Sequence, residues 1–126
     1  MNNNIVQKID YQQLSKEFVN YFYTNWASAP NTFIQSKAFS EYSRLKVDDT
    51  IYSGNNFIKY LIEKSTNLKI DIIKFNCIDS GSRRIDINVT GYILKDNIKY
   101  IFSQYFLLAH LKDNWTIQNS ILNIIN

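Results

Sequence analysis

The hydrophobic period of this chain changes once, between Lys64 and Ile70, and that change limits the fold more than any other feature. Before it, apolar residues recur at helical spacing. Leu14, Phe18, Tyr21 or Phe22, and Trp26 mark one helix over about Tyr11–Trp26, opened by the capping-box pattern Asp10-Tyr-Gln-Gln13. Pro30 can open a second, shorter helix with Phe33, Ile34 and Phe39 as its buried stripe. Phe57, Ile58, Leu61 and Ile62 mark a third over Asn55–Lys64. Between the second and third, "RLKVDD" (Arg44–Asp49) and "TIYSG" read as two short strands, with Gly54 free to take an unusual backbone angle.

After the change, every second residue is apolar. Ile70 and Ile72 lead the first long strand, the phase slips by one at Ile72-Ile73, and Ile73, Phe75 and Cys77 continue on the new register. Such a slip is the sequence trace of a β-bulge. "DSGS" (Asp79–Ser82) reads as a turn, Ile85, Ile87, Val89, Gly91 and Ile93 as a strand, and "KDN" (Lys95–Asn97) as a hairpin. A further strand, a turn at Lys112–Asn114 and a last strand with Trp115, Ile117 and Ile121 complete the chain. Helices first and hairpin-linked strands after them give an α+β fold. Bent, bulged strands predict a strongly curved antiparallel sheet, a half-open cone wrapped on three N-terminal helices.

The strand "IFSQYFLLAHL" (Ile101–Leu111) is apolar on both faces. Phe102, Gln104, Phe106 and Leu108 share one face, and Ile101, Ser103, Tyr105, Leu107 and Ala109 the other. The first set would cover the helices. The second, with Tyr92 and Leu94 on the neighbouring strand, would be left for a partner, since an exposed apolar sheet face is normally an interface.

The remaining sequence narrows function mainly by exclusion. A chain of 126 residues with 45% hydrophobic and 15% aromatic content is one domain, 1–126, with a sizeable core, and residues 1–9 are expected to be flexible. A net charge of +3, with Arg83-Arg84 as the only adjacent basic pair, lacks the basic cluster of a nucleic-acid binder. One cysteine, Cys77, gives neither a disulfide nor a thiolate metal cluster and suits a reducing compartment. "MNNNIVQK" has no apolar signal core and no apolar run is long enough to cross a bilayer, so neither secretion nor a membrane span is expected. One His and one Cys cannot build a Ser-His-Asp set, a Cys-His pair or a metal cluster, so no catalytic, cofactor or metal residue is assigned. His110 falls at a strand end, and Asp71 and Asp86 fall off the apolar phase.

Three segments together carry a resemblance. "EFVNYFYTNW" resembles the opening helix of the nuclear transport factor 2-like superfamily, and "LKVDDTIYSGNNFIKYL" its short hairpin, glycine and third helix. "FSQYFLLAHLKDNWTIQNSIL" resembles its most recognisable pair of strands. The resemblance implies the cone-shaped fold and pairing through the outer sheet face by Tyr92, Leu94, Ile101, Tyr105 and Leu107. It further implies a non-enzymatic protein-binding adaptor of nucleocytoplasmic transport, found in nucleus, cytoplasm and nuclear pore, without cofactor, direct nucleic acid or membrane contact. In the Ran-GDP import carrier, rim acids corresponding to Asp48 and Asp96 pair with basic groups of Ran, and an aromatic corresponding to Tyr11 contacts Phe-Gly nucleoporins. Asp48 and Asp49 also fit a solvated hairpin, and Tyr11 also fits packing on its own helix end. The small subunit of the mRNA export receptor shares the cone, pairs with a larger receptor and does not need the acidic patch, so the direction of transport stays open. The same superfamily holds isomerases and dehydratases with a small-molecule pocket inside the cone, which is the alternative reading.

Overall fold

A computed structural model describes residues 9–125, so the expected flexibility of the first residues falls almost entirely outside the described part. Helix α1 (Tyr11–Ser28) starts where the sequence places it. The Asp10 carboxylate accepts the Gln13 backbone N–H at 3.0 Å, although the Gln13 side chain turns forward to Glu17 instead of closing the box. The second helix, Pro30–Gln35, is a 3-10 helix, and this overturns part of the expected stripe. With three residues per turn, neighbours cannot share an inward face. Phe33 is fully buried, Phe39 packs against the core, and Ile34 is 60% exposed.

Strands β1 (Arg44–Val47) and β2 (Thr50–Ser53) form the short hairpin ahead of α2 (Asn55–Lys64). Gly54 caps α2 at φ 57°, a conformation suited to glycine, and a Cβ there would lie 3.1 Å from the Glu41 carbonyl oxygen. Strands β3 (Leu68–Gly81), β4 (Arg84–Lys95), β5 (Ile98–Leu111) and β6 (Asn114–Ile125) follow as antiparallel hairpins. The sheet order is β2-β1-β6-β5-β4-β3. It is a mixed sheet and not wholly antiparallel, because β1 lies parallel to β6. A four-residue strand alternates identically in either direction, and the preceding helices set the direction in which it enters.

The turns are tighter than the sequence suggests. The first long hairpin turns at Ser82-Arg83 and not over Asp79–Ser82, with both φ angles positive, 50° and 58°. Asp96-Asn97 repeats this geometry between β4 and β5. The bulge lies where the period slips, but Ile73 is the extra residue: Ile72 pairs with Gly91, Lys74 with Thr90, and Ile73 is 54% exposed. Gly91 is required there, since a Cβ would fall 2.2 Å from the Asp71 carbonyl oxygen.

The bulged sheet curves over α1, and aromatic rings fill the concavity. Phe106 of β5 lies 5.0 Å from Phe18 and 4.9 Å from Phe22, and Phe22 stacks on Phe33 at 5.5 Å. Phe33, Phe39 and Phe57 continue the chain of rings at 5.1 Å each, joining sheet, α1, the 3-10 helix and α2 into one core. Burying a ring of this size contributes about 1.5–3 kcal/mol.

Candidate functional site

Two surfaces stand out, one at the open end of the cone and one on its back. At the open end, the β1–β2 turn, the end of α2 and the ends of β4 and β5 surround a cavity of about 450 Å³. Its floor is Trp26, Leu68 and Ile93, all buried. The Trp26 indole N–H donates to the Leu61 carbonyl at 3.0 Å, so the ring offers the cavity only its apolar face. Tyr52, Tyr60 and Tyr100 line the walls, with the Tyr52 and Tyr60 rings 4.7 Å apart. Burial, with Tyr52 and the Asp48 charge nearby, pushes the Tyr60 hydroxyl up to about 12, so it is a neutral phenol at ordinary pH.

Lys64 and Lys95 complete the lining, opposed by Asp48. The Lys95 ammonium donates to the Lys64 carbonyl at 3.2 Å and to that of Thr66, which satisfies carbonyls left open where α2 ends. The Lys64 ammonium sits 5.9 Å from the Tyr60 ring centre. Asp48 therefore reaches the cavity, but Asp96 does not line it. Asp96 lies in an adjoining cleft that shares Leu68, where its carboxylate accepts from the Asn67 side chain at 3.1 Å.

Tyr11 lies at the opposite end of the strands. Its ring meets Trp115 edge-on at 6.2 Å, and its carbonyl accepts from the Cys77 thiol at 3.7 Å. His110 is beside them, 5.0 Å from the Trp115 ring, with its Nδ1 buried and unpartnered. No carboxylate touches it among the described hydrogen bonds.

The back of the sheet is set out by the strand register. One row runs Tyr92, Ile101, Ile125, and another runs Asn88, Tyr105, Ile121, with Thr90, Ser103 and Asn123 between them. Leu107 faces this side beside Asp86 and Asn119, and Leu94 pairs with Lys99. Ile101 and Ile125 are 48% and 58% exposed. Ala109, expected on this face, is buried, and its register neighbour Thr116 is also buried and donates to the Lys37 carbonyl.

Two charged groups on this face, Asp86 and Lys99, have local partners, while Lys69, Asp71 and Lys74 of β3 and Lys46 of β1 stand exposed beside them in the register. Asp86, which points away from the cone, accepts from the Tyr105 hydroxyl at 2.5 Å and from Ser80 on its other oxygen. Burial first, and then the bond to Asp86, pushes the Tyr105 hydroxyl up to about 12. The Lys99 ammonium lies 4.0 Å above the Tyr92 ring.

A buried polar chain was not foreseen from the sequence. The Tyr23 hydroxyl donates to Gln104 Oε1 at 2.8 Å, Gln104 Nε2 donates to the Ser120 hydroxyl at 2.9 Å, and Ser120 donates to the Tyr105 carbonyl at 2.8 Å. Its one visible signal is a Gln alternating with Phe102 and Phe106 on the inner face. The partners 81 and 16 residues away carry no signal of their own.

No protein-family model and no curated protein sequence matches the chain. Solved structures do. Nuclear transport factor 2 from Cryptosporidium parvum superposes with a TM-score of 0.80 at 21% identity, over 96% of this chain and 99% of that one. The yeast complex of the deubiquitinase Ubp3 with its cofactor Bre5 gives 0.75 at 19%, over 91% and 96%. A putative ketosteroid isomerase from Shewanella frigidimarina gives 0.72 at 9%, over 86% and 93%. The fold is that of nuclear transport factor 2, and at these identities the likeness extends to the fold alone.

Proposed function

We propose that this protein is a non-enzymatic, protein-binding adaptor of nucleocytoplasmic transport that works as a dimer through the back of its sheet. The observation that carries the proposal is the condition of that back face. Asp86 is capped by two hydroxyls and Lys99 lies over a ring, while Ile101 and Ile125 are exposed and Leu107 and Ile121 are half-buried beside them. Hydrogen-bonded in this way, the Asp86 carboxylate costs less to cover than a bare one would. An interface of roughly 800 Å² per partner would cover such a face.

The transport assignment draws support from the three sequence segments and from the superposition on nuclear transport factor 2 over nearly the whole of both chains. The partner is a second copy or a larger receptor of the same fold. Ran-GDP would meet Asp48 at the cavity mouth and Asp96 in the next cleft, and Phe-Gly nucleoporins would meet Tyr11. The protein would then move between cytoplasm and nucleus through the pore. The isomerase or dehydratase reading has one observation in its favour, a cavity large enough for a small substrate. Against it, Asp48 is the only carboxylate lining that cavity among the described residues, and His110 is at the other end.

The test is sedimentation at micromolar concentration with pull-downs of Ran-GDP and of the export receptor. A dimer, or a species rescued by the larger receptor, is expected for the wild type, and a well-behaved monomer would remove the basis of the proposal. Asp48→Lys should abolish any Ran binding and spare pairing, whereas Tyr105→Asp should release the partner on the back. Failure of the wild type to bind Ran would favour the export subunit.

A further inference from the structure

We infer that the cavity at the open end of the cone binds an apolar group that carries a carboxylate. The inference is independent of pairing through the back of the sheet, which lies on the other side of β4 and β5. Its apolar half rests on the floor, where Trp26, Leu68 and Ile93 are buried and the only indole N–H is already spent on Leu61. Nothing on that floor can answer a polar group, so the body of the ligand is hydrocarbon or aromatic.

The polar half rests on the walls. An ammonium carries three donor hydrogens, and Lys95 uses two of them on the carbonyls of Lys64 and Thr66. Those two bonds hold the nitrogen at the cavity and leave one donor. Lys64 adds a second ammonium, held near the Tyr60 ring. Tyr60 remains a neutral phenol to about pH 12 and can donate to an anion without competing with it. Against these stands a single lining carboxylate among the described residues, Asp48. One ammonium tied to two carbonyls, a second at the wall and the Tyr60 phenol, above an apolar floor, select an anionic head on an apolar stem, and charge-assisted bonds make that selection steep.

Such a group can come from a free organic acid or from an acidic terminus of a peptide, and the two are separable. Calorimetric titration with phenylbutyrate, phenylbutyramide and phenylbutylamine compares one stem under three head groups. The acid should bind at one site per chain, the amide about tenfold more weakly, and the amine more weakly still. NMR shifts should move at the Trp26 indole and not at Trp115. Lys95→Gln and, separately, Lys64→Gln should each weaken the acid several-fold without changing the amide, and Asp48→Asn should tighten it. A short peptide ending in a free phenylalanine carboxylate, beside its C-terminal amide, distinguishes the sources: tighter binding of the peptide acid than of phenylbutyrate assigns the site to a partner chain, and the reverse assigns it to a small molecule. The inference is overturned by an amine that binds as well as the acid, by absence of saturable acid binding to the folded protein, or by full affinity in both lysine variants.

Discussion

The two faces of β4 and β5 are built from alternate residues of the same strands, yet their polar groups are treated differently. On the inner face, Gln104 is buried and its amide is bonded to Tyr23 on α1 and Ser120 on β6, so its polar atoms bind separate layers of the fold together. On the outer face, Asp86 and Lys99 are answered by neighbours within the sheet itself. Phe102, Phe106 and Leu108 are fully covered, whereas Ile101 is half exposed. A face completed by its own chain locks its polar groups across layers. The outer face instead ties Asp86 and Lys99 to neighbours in plane and leaves Ile101 and Ile125 exposed.

The strongest way to break this contrast is to remove the curvature that creates an inside. Gly91→Ala places a methyl against the Asp71 carbonyl and the Phe102 ring, where neither can retreat without opening the bulge. A loss of about 3 kcal/mol or more is expected in denaturant unfolding, with both faces affected. Next in size is Tyr105→Asp. It removes a cap from Asp86 and sets a second carboxylate beside it, so pairing should weaken at least about tenfold in sedimentation. The monomer fold, read by circular dichroism, should persist.

Gln104→Ala tests the inner face alone. It strands the Tyr23 hydroxyl in the core and removes the bond that Ser120 accepts, leaving Ser120 its bond to the Tyr105 carbonyl, at a cost of about 1–3 kcal/mol in stability, and should leave the dissociation constant of the back face unchanged.

The smallest expected effect is on the pH profile. Tyr60 and Tyr105 have folded pKa values raised from 10.0 to about 12, so the folded chain holds these protons where the unfolded chain has released them. Their contribution is complete below pH 10 and is lost as the pH climbs to about 12. Tyr105→Phe should flatten that loss in pH-dependent unfolding and, unlike Tyr60→Phe, should also alter pairing.

Local rules made much of this architecture legible. The capping Asp10, the one-residue slip at Ile72-Ile73 and the glycine at position 54 each impose a backbone consequence on their immediate neighbours, and each appears where the sequence puts it. The two-faced β5 likewise followed from alternation, because a strand can place side chains on only two sides. Misreadings arose where neighbours do not decide. Ile34 turned outward because the second helix is wound with three residues per turn, and β1 lies parallel to β6 because of where the helices deliver it.

The sites needed the tertiary structure for the same reason. Asp48 and Asp96 sit on similar polar turns in the sequence, but only Asp48 reaches the cavity, since Asp96 is drawn to Asn67 in the next cleft. Lys95 reads as a turn residue until the end of α2 is brought beside it and its ammonium is held at the cavity wall. The sequence by itself determined periods, caps, the bulge and the fold class, which depend on residues a few positions apart. The tertiary structure decided which charges share a wall, because those meetings depend on how far the sheet bends over α1.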